Sequence, residues 1–141
     1  MIARLVLAAA LSTISPAVLH SAEPISATVL LQSHTTNTGD ALAYPRTNAA
    51  EVTTMIVEIA PGASTAPHRH PVPSVAYMLQ GELEVRAEGG IVNRYKAGDA
   101  FLETIDRTHQ GFNVGTTPVR ILVTYIGVKG EPVTVEAKDA R

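Results

Sequence analysis

Residues 62–70 read Gly62-Ala63-Ser64-Thr65-Ala66-Pro67-His68-Arg69-His70, and a second stretch runs from Gly98-Asp99-Ala100-Phe101-Leu102-Glu103 to His109. Extended backbone sends successive side chains to opposite sides, with a period of two. His68 and His70 therefore project to one face, where two imidazoles can grip a single ion, and Arg69 points the other way, toward solvent. His109 follows His70 by 39 residues, across turns and short runs that a barrel could bring back against the pair. A His-x-His pair alone matches by coincidence more often than by function. It gains meaning only if the chain around it is sheet that closes on itself.

The flanking sequence predicts such a sheet. No segment after residue 22 sustains a helical period. Instead β-branched runs alternate with Gly, Pro, Asn and Asp. Strands are expected at Thr28–Ser33, Val52–Ala60, Ser74–Gln80, Glu82–Ala87, Ile91–Tyr95, Ala100–Glu103, Val119–Ile126 and Val133–Glu136. Turns are expected at Pro61-Gly62, Gly81, Gly89-Gly90, Ala97–Asp99, Asn113–Pro118 and Lys129-Gly130. Short strands at regular turn spacing predict an all-β sandwich or barrel. Leu83–Ala87 alternates, as a half-buried strand does, whereas Val119–Ile126 is nearly continuous and is expected to be buried on both faces. Thr35–Ala50 is polar and patternless, a loop or arm.

Composition bounds the chemistry. A chain of 141 residues has material for one hydrophobic core, and an apolar fraction of 45% argues against disorder. A net charge of −2 supplies no basic footprint for nucleic acid. With no cysteine there is no disulfide scaffold, thiolate metal site or cysteine nucleophile, so function falls to histidine, carboxylate, hydroxyl or backbone. Residues 1–22 have the form of a secretory signal peptide. Arg4 precedes the apolar Leu5–Leu11, Pro16 interrupts the softer tail beyond it, and cleavage near Ala22 competes with a site at Leu19-His20-Ser21. The apolar run is too short for a membrane span, which takes about 20 residues. A periplasmic or secreted protein is expected, with no stable membrane span after cleavage. The expected organisation is a leader at 1–22, an N-terminal strand and polar arm at 23–50, and a barrel at 51–137. Cleavage leaves four histidines, His34, His68, His70 and His109, of which His34 is read as surface.

The segment from Gly62 to His70, followed by Gly81, resembles the first cupin motif, G-x5-H-x-H-x3-E-x6-G. The segment from Gly98 through His109 to Asn113 resembles the second, G-x5-P-x-G-x2-H-x3-N. The resemblance covers about Val52 to Ile126 and implies a double-stranded β-helix, the cupin jelly-roll barrel, with a metal inside. The departures are specific. The first motif's glutamate falls on Ser74, and the second motif's proline and glycine fall on Thr104 and Asp106. Glu103, six residues before His109, matches a variant G-D-x-x-x-E-x5-H and could replace the missing acid as ligand, as hydrogen-bond partner of a ligand histidine, or as base. Ser74, Ala76 and Met78 share a strand parity and are candidates to line the cavity, with packing the alternative; Tyr77 faces the other way. Gly81 and Asn113 are read as turn-shaping residues.

These residues imply a metal centre of His68, His70 and His109, with Glu103 as further ligand or catalytic group, holding one divalent transition metal: Fe, Mn, Ni, Cu or Zn. The function implied is a small-molecule metalloenzyme with dioxygenase-like chemistry, isomerase or lyase chemistry standing behind it. The alternative is a non-catalytic cupin that captures a metal or small ligand, a reading that Ser74 in place of glutamate favours. A small-molecule partner and a homodimer follow from the resemblance.

Overall fold

The structure is a computed structural model that describes residues 25–137; the expected leader at 1–22 lies outside the described residues. Nine strands follow in chain order: β1 Ala50–Ile59, β2 His68–Arg69, β3 Ser74–Gln80, β4 Glu82–Ala87, β5 Ile91–Lys96, β6 Ala100–Leu102, β7 His109–Asn113, β8 Val119–Val128 and β9 Val135–Glu136. They form a four-stranded sheet, β1-β8-β3-β6, and a five-stranded sheet, β5-β4-β7-β2-β9, with every pairing antiparallel. Among the described residues there is no helix, and so none long and apolar enough to cross a membrane.

The core is what alternation selects. On β8, Val119, Ile121, Val123 and Tyr125 are buried, while the side chains between them are half-buried or exposed. This corrects the expectation of burial on both faces: among the described residues no second layer covers the outer face of this sheet, so only one side of β8 is shielded. From β3 come Ala76 and Met78, and from β4 come Leu83 and Val85, to meet the β8 side chains between the sheets. Tyr95 stacks flat on Phe101, with ring centroids 3.6 Å apart, and joins β5 to β6. Each fully buried large side chain of this kind contributes about 1.5–3 kcal/mol.

Two strands were not legible in the sequence, and one expected strand is not formed. β2 and β7 carry His, Arg, Gln, Gly and Asn with a single strong strand former, Phe112, and are strands because β4, β9 and each other supply partners. Thr28–Ser33 joins no sheet among the described residues, with Val29 at 75% and Leu30 at 60% exposure. β-branched composition alone does not make a strand; a partner edge is required. The polar stretch after it is anchored by a short hairpin, Thr35 bridging Ala41, that docks Asn37 N–H on the Leu102 carbonyl at 2.8 Å.

Two motif residues that shape turns have identifiable work. Gly81 is the one-residue corner between β3 and β4, where the chain passes from one sheet to the other, with φ of +86°. A Cβ there would lie 2.8 Å from the Pro118 carbonyl oxygen and 2.9 Å from Val119 Cα, both backbone atoms that cannot swing aside. Gly81→Ala is therefore expected to cost about 2–5 kcal/mol, summing left-handed strain and overpacking. A urea titration should show the midpoint falling at unchanged slope; a loss below about 1 kcal/mol would contradict the clash. Asn113 is buried and ties three backbone groups, donating to the Ile59 and Thr117 carbonyls at 2.9 and 2.8 Å and accepting from Gly115 N–H at 3.0 Å.

Candidate metal centre

β2 and β7 place the three motif histidines together. His68 sits directly opposite His109 in the β2–β7 register, and His70 lies just beyond β2 on the same face. The three ring centroids are 4.4–4.9 Å apart. One nitrogen from each ring lies within 4.8 Å of the others. Arg69 turns outward and pairs with Asp106, as the alternation requires.

The outer nitrogens determine what the inner ones can do. His68 Nδ1 meets the Ala66 carbonyl at 2.7 Å, His70 Nδ1 the Val133 carbonyl at 2.9 Å, and His109 Nδ1 the Arg107 carbonyl at 3.0 Å. A carbonyl oxygen only accepts, so each Nδ1 carries the hydrogen and donates it. Each Nε2 is then a bare lone pair, the state a metal requires. Three neutral, pre-oriented imidazole donors fit a divalent transition ion and leave coordination positions open.

Burial reinforces that state by holding the His68 and His109 rings below their ordinary 6.5, since a charged imidazolium loses its hydration there. Below about pH 6.5 the unfolded chain takes up protons that these folded rings resist, so stability is full above that value and falls as pH drops through it. Melting temperatures of protein stripped with chelator should therefore be flat from pH 7.5 to about 6.5 and decline toward 5.5. A His68→Gln, His109→Gln double variant should flatten the decline, and an equally steep one would refute the assignment. Glu84 and Asp40 do not interfere. The Arg86 and Arg94 guanidiniums lower the Glu84 carboxyl, and the Thr38 hydroxyl and Arg107 lower that of Asp40, so both titrate at more acid pH.

Glu103 enters the same space. It follows β6, opposite the start of β3, where its N–H donates to the Ser74 carbonyl at 3.1 Å. The Ser74 hydroxyl in turn donates to Glu103 Oε2 at 2.6 Å, and that oxygen lies 3.4 Å from His70 Nε2. Ser74 thus stands where the first motif has its glutamate and instead orients a carboxylate supplied from just beyond β6. Asp106, where the second motif has glycine, holds a φ of +52°, the left-handed region that glycine enters freely and Asp tolerates. Ala76 and Met78 are fully buried in the core between the sheets, not on the cavity wall.

The cavity at the histidines is about 50 Å³. Its wall beyond the histidines and Glu103 is mostly aliphatic, with Ile59, Leu83, Val85 and Val123 among the lining residues, together with Thr65 and Tyr125. Burial pushes the Tyr125 phenol up from its ordinary value, which keeps it a hydrogen-bond donor and not a base. These wall residues, and the Val133 carbonyl behind His70, escaped the sequence reading, although the inward parity of β1 and β8 marks several of them. A larger open groove of about 510 Å³, lined by Tyr44, Pro45, Arg69 and Pro132 among others, includes none of the three histidines.

A Cupin domain family profile matches residues 55–125. The chain belongs to the cupin family. This cupin is 32% identical over 94 residues to oxalate oxidase GF-2.8 of Triticum aestivum, covering 61% of this chain and 42% of that protein. It superposes on a solved oxalate oxidase with a TM-score of 0.52 at 28% identity, covering 61% of this chain and 46% of that one. It also superposes on a double-stranded β-helix protein of Klebsiella pneumoniae subsp. pneumoniae MGH 78578, with a TM-score of 0.52 at 26% identity, covering 66% and 78%. The cupin spans less than half the length of the curated relatives it matches.

Proposed function

We propose that this cupin is an exported metalloenzyme acting on a very small organic molecule, with His68, His70 and His109 holding one divalent transition metal and Glu103 moving a proton. The observation that carries the reading is the shared orientation of the three rings. Each Nδ1 is committed to a backbone carbonyl, so three Nε2 lone pairs are presented to the cavity that also contains the Glu103 carboxylate. A bound ion would supply Lewis acidity and open positions for substrate or dioxygen.

The residues around it define the substrate class. A space of about 50 Å³ suits a molecule of a few heavy atoms. No lysine or arginine lines the cavity, so the ion itself would have to meet an anionic group, while the aliphatic wall excludes bulk water. Similarity to oxalate oxidases supports a small carboxylic acid and oxygen-dependent, dioxygenase-like oxidation. Ser74 holds the Glu103 carboxylate beside His70, where it can accept a proton from a bound acid or water.

The test is metal analysis of protein purified without added metal, followed by oxygen-uptake and peroxide assays. The panel is oxalate, glycolate and formate, with phenols, enols and diketones as larger comparisons. Near one metal per chain and uptake with a small acid support the reading. A folded barrel that binds no metal refutes it, and metal binding without turnover in any metal form assigns the protein to capture of an ion or small ligand instead.

A further inference from the structure

The hairpin at 35–41 belongs to neither sheet, yet it is tightly knit. Thr35 bridges Ala41, Thr36 N–H donates to the Asp40 carbonyl at 2.8 Å, and Leu42 N–H donates to the His34 carbonyl at 2.9 Å. Inside the turn the buried Thr36 hydroxyl accepts from Asp40 N–H at 3.2 Å. Asn93 donates to the Asn37 carbonyl at 2.9 Å. Among the described residues, the hairpin's other hydrogen bonds to the barrel all go to one stretch, 102–107. Asn37 N–H donates to the Leu102 carbonyl at 2.8 Å, and the Thr38 and Thr104 hydroxyls meet at 2.9 Å. Arg107 Nη2 donates to both Asp40 carboxylate oxygens, at 3.1 and 3.2 Å. Thr38 also donates to Asp40 at 2.7 Å, so the two side-chain grips are coupled.

The stretch so held is the one that shapes the histidine site. Residues 103–108 lie between β6, which ends at Leu102, and β7, which begins at His109. With the period of two, Glu103 follows the buried Phe101 inward to the cavity, while Thr104, 1% exposed, turns to the Thr38 hydroxyl. Asp106 N–H donates to the His70 carbonyl at 2.8 Å. The Arg107 carbonyl takes the His109 Nδ1 hydrogen at 3.0 Å. Arg107 is thus gripped by its side chain while its backbone orients a histidine.

We propose, on the reading of this site as a metal centre, that the 35–41 hairpin is a clamp on the 103–108 loop, with Thr38 and Asp40 as positioning residues for Glu103 and His109. An ion pair as exposed as Asp40–Arg107, with side chains at 43% and 32%, adds little to global stability. Its effect is local. One hydrogen-bonded contact biases a local equilibrium several-fold, and losing two leaves the loop in place about tenfold less often. Metal affinity follows the orientation of the ligand ring, and a misplacement of about 1 Å in a reacting group costs on the order of 100-fold in rate.

Cobalt(II) titration, read by visible absorption, reports the donor geometry without turnover. Thr38→Val with Asp40→Ala should weaken cobalt(II) binding by roughly 3- to 10-fold and shift the absorption bands. That is less than the loss of an orienting partner itself, because the Arg107 carbonyl remains. In metal-free protein, hydrogen exchange at the Glu103 and Asp106 amides should quicken by about tenfold, with the melting temperature nearly unchanged. Thr104→Val, on the loop side, should act in the same direction. Asp40→Glu, which keeps the carboxylate, should retain both properties of the unsubstituted protein. Glu58→Ala, which breaks a comparably exposed pair with Arg120 between β1 and β8, should move neither. Unsubstituted protein that binds no cobalt(II) would overturn the metal reading, whereas unchanged exchange at Glu103 and Asp106 in the double variant would overturn the clamp. Faster exchange with unaltered cobalt(II) binding and spectrum would overturn the positioning role, as would an equal effect from Glu58→Ala.

Discussion

Metal analysis of the His109→Ala protein is expected to find no bound ion, and titration should show affinity reduced by more than about 100-fold. Removing a mere supporting partner of a metal ligand costs 10–100-fold, and removal of a ligand costs more. The expectation rests on His109 being one of three convergent donors whose Nδ1 hydrogen is committed to a backbone carbonyl, leaving Nε2 free to coordinate. β7 pairs with β4 through backbone groups, with His109 opposite Ala87, so an alanine keeps the ladder. The fold should therefore persist, and circular dichroism with a melting curve checks that it does. His68→Ala should behave alike, since its ring faces His109 across the β2–β7 pair. Chelation of the unsubstituted protein should lower its melting temperature, because an ion bound only by the folded state stabilises that state. Retention of a stoichiometric ion by His109→Ala would remove the three-histidine centre from consideration.

Glu103→Gln is expected to keep the ion and lose turnover by about 10²- to 10⁴-fold, the range for removing a positioned acid or base. Glutamine preserves shape and can still accept from Ser74, but it cannot take a proton. The donors that crowd within coordinating range of one another are the three imidazoles, while Glu103 Oε2 is engaged by the Ser74 hydroxyl at 2.6 Å. The split is the diagnostic: metal content unchanged with turnover lost marks a proton carrier, whereas loss of both marks a ligand and refutes the proton-moving role. Ser74→Ala should fall between Glu103→Gln and the unsubstituted protein in turnover, because the carboxylate loses its orienting donor.

Much of the candidate site was legible because it is written in local spacing. Two histidines two residues apart must share a face of an extended chain, and Arg69 between them must turn away. Glu103 was legible as the surplus acid of the second motif. Its partner was not, because Ser74 is 29 positions away in sequence and only the β3–β6 pairing brings the two together. The carbonyl of Val133 that orients His70 is likewise 63 positions distant.

Local sequence also misled where a partner, rather than propensity, decides structure. Thr28–Ser33 has the composition of a strand yet pairs with none of the sheet edges among the described residues. β2 and β7 have poor strand composition and are held in place by their neighbours. The nearly continuous apolar run of β8 implied two covered faces, yet one of them is open.

Local chemistry alone determined the all-β class, the three histidines, the want of a thiol alternative and the turn at Gly81, since each depends on side-chain type, φ preference or period-two spacing. Tertiary structure alone decided which nitrogen of each ring faces inward, which acid stands beside His70, how small the cavity is and which strand edge is left unpaired. Those properties are set by contacts between residues far apart in the chain, and only closing the barrel brings such groups to hydrogen-bonding distance.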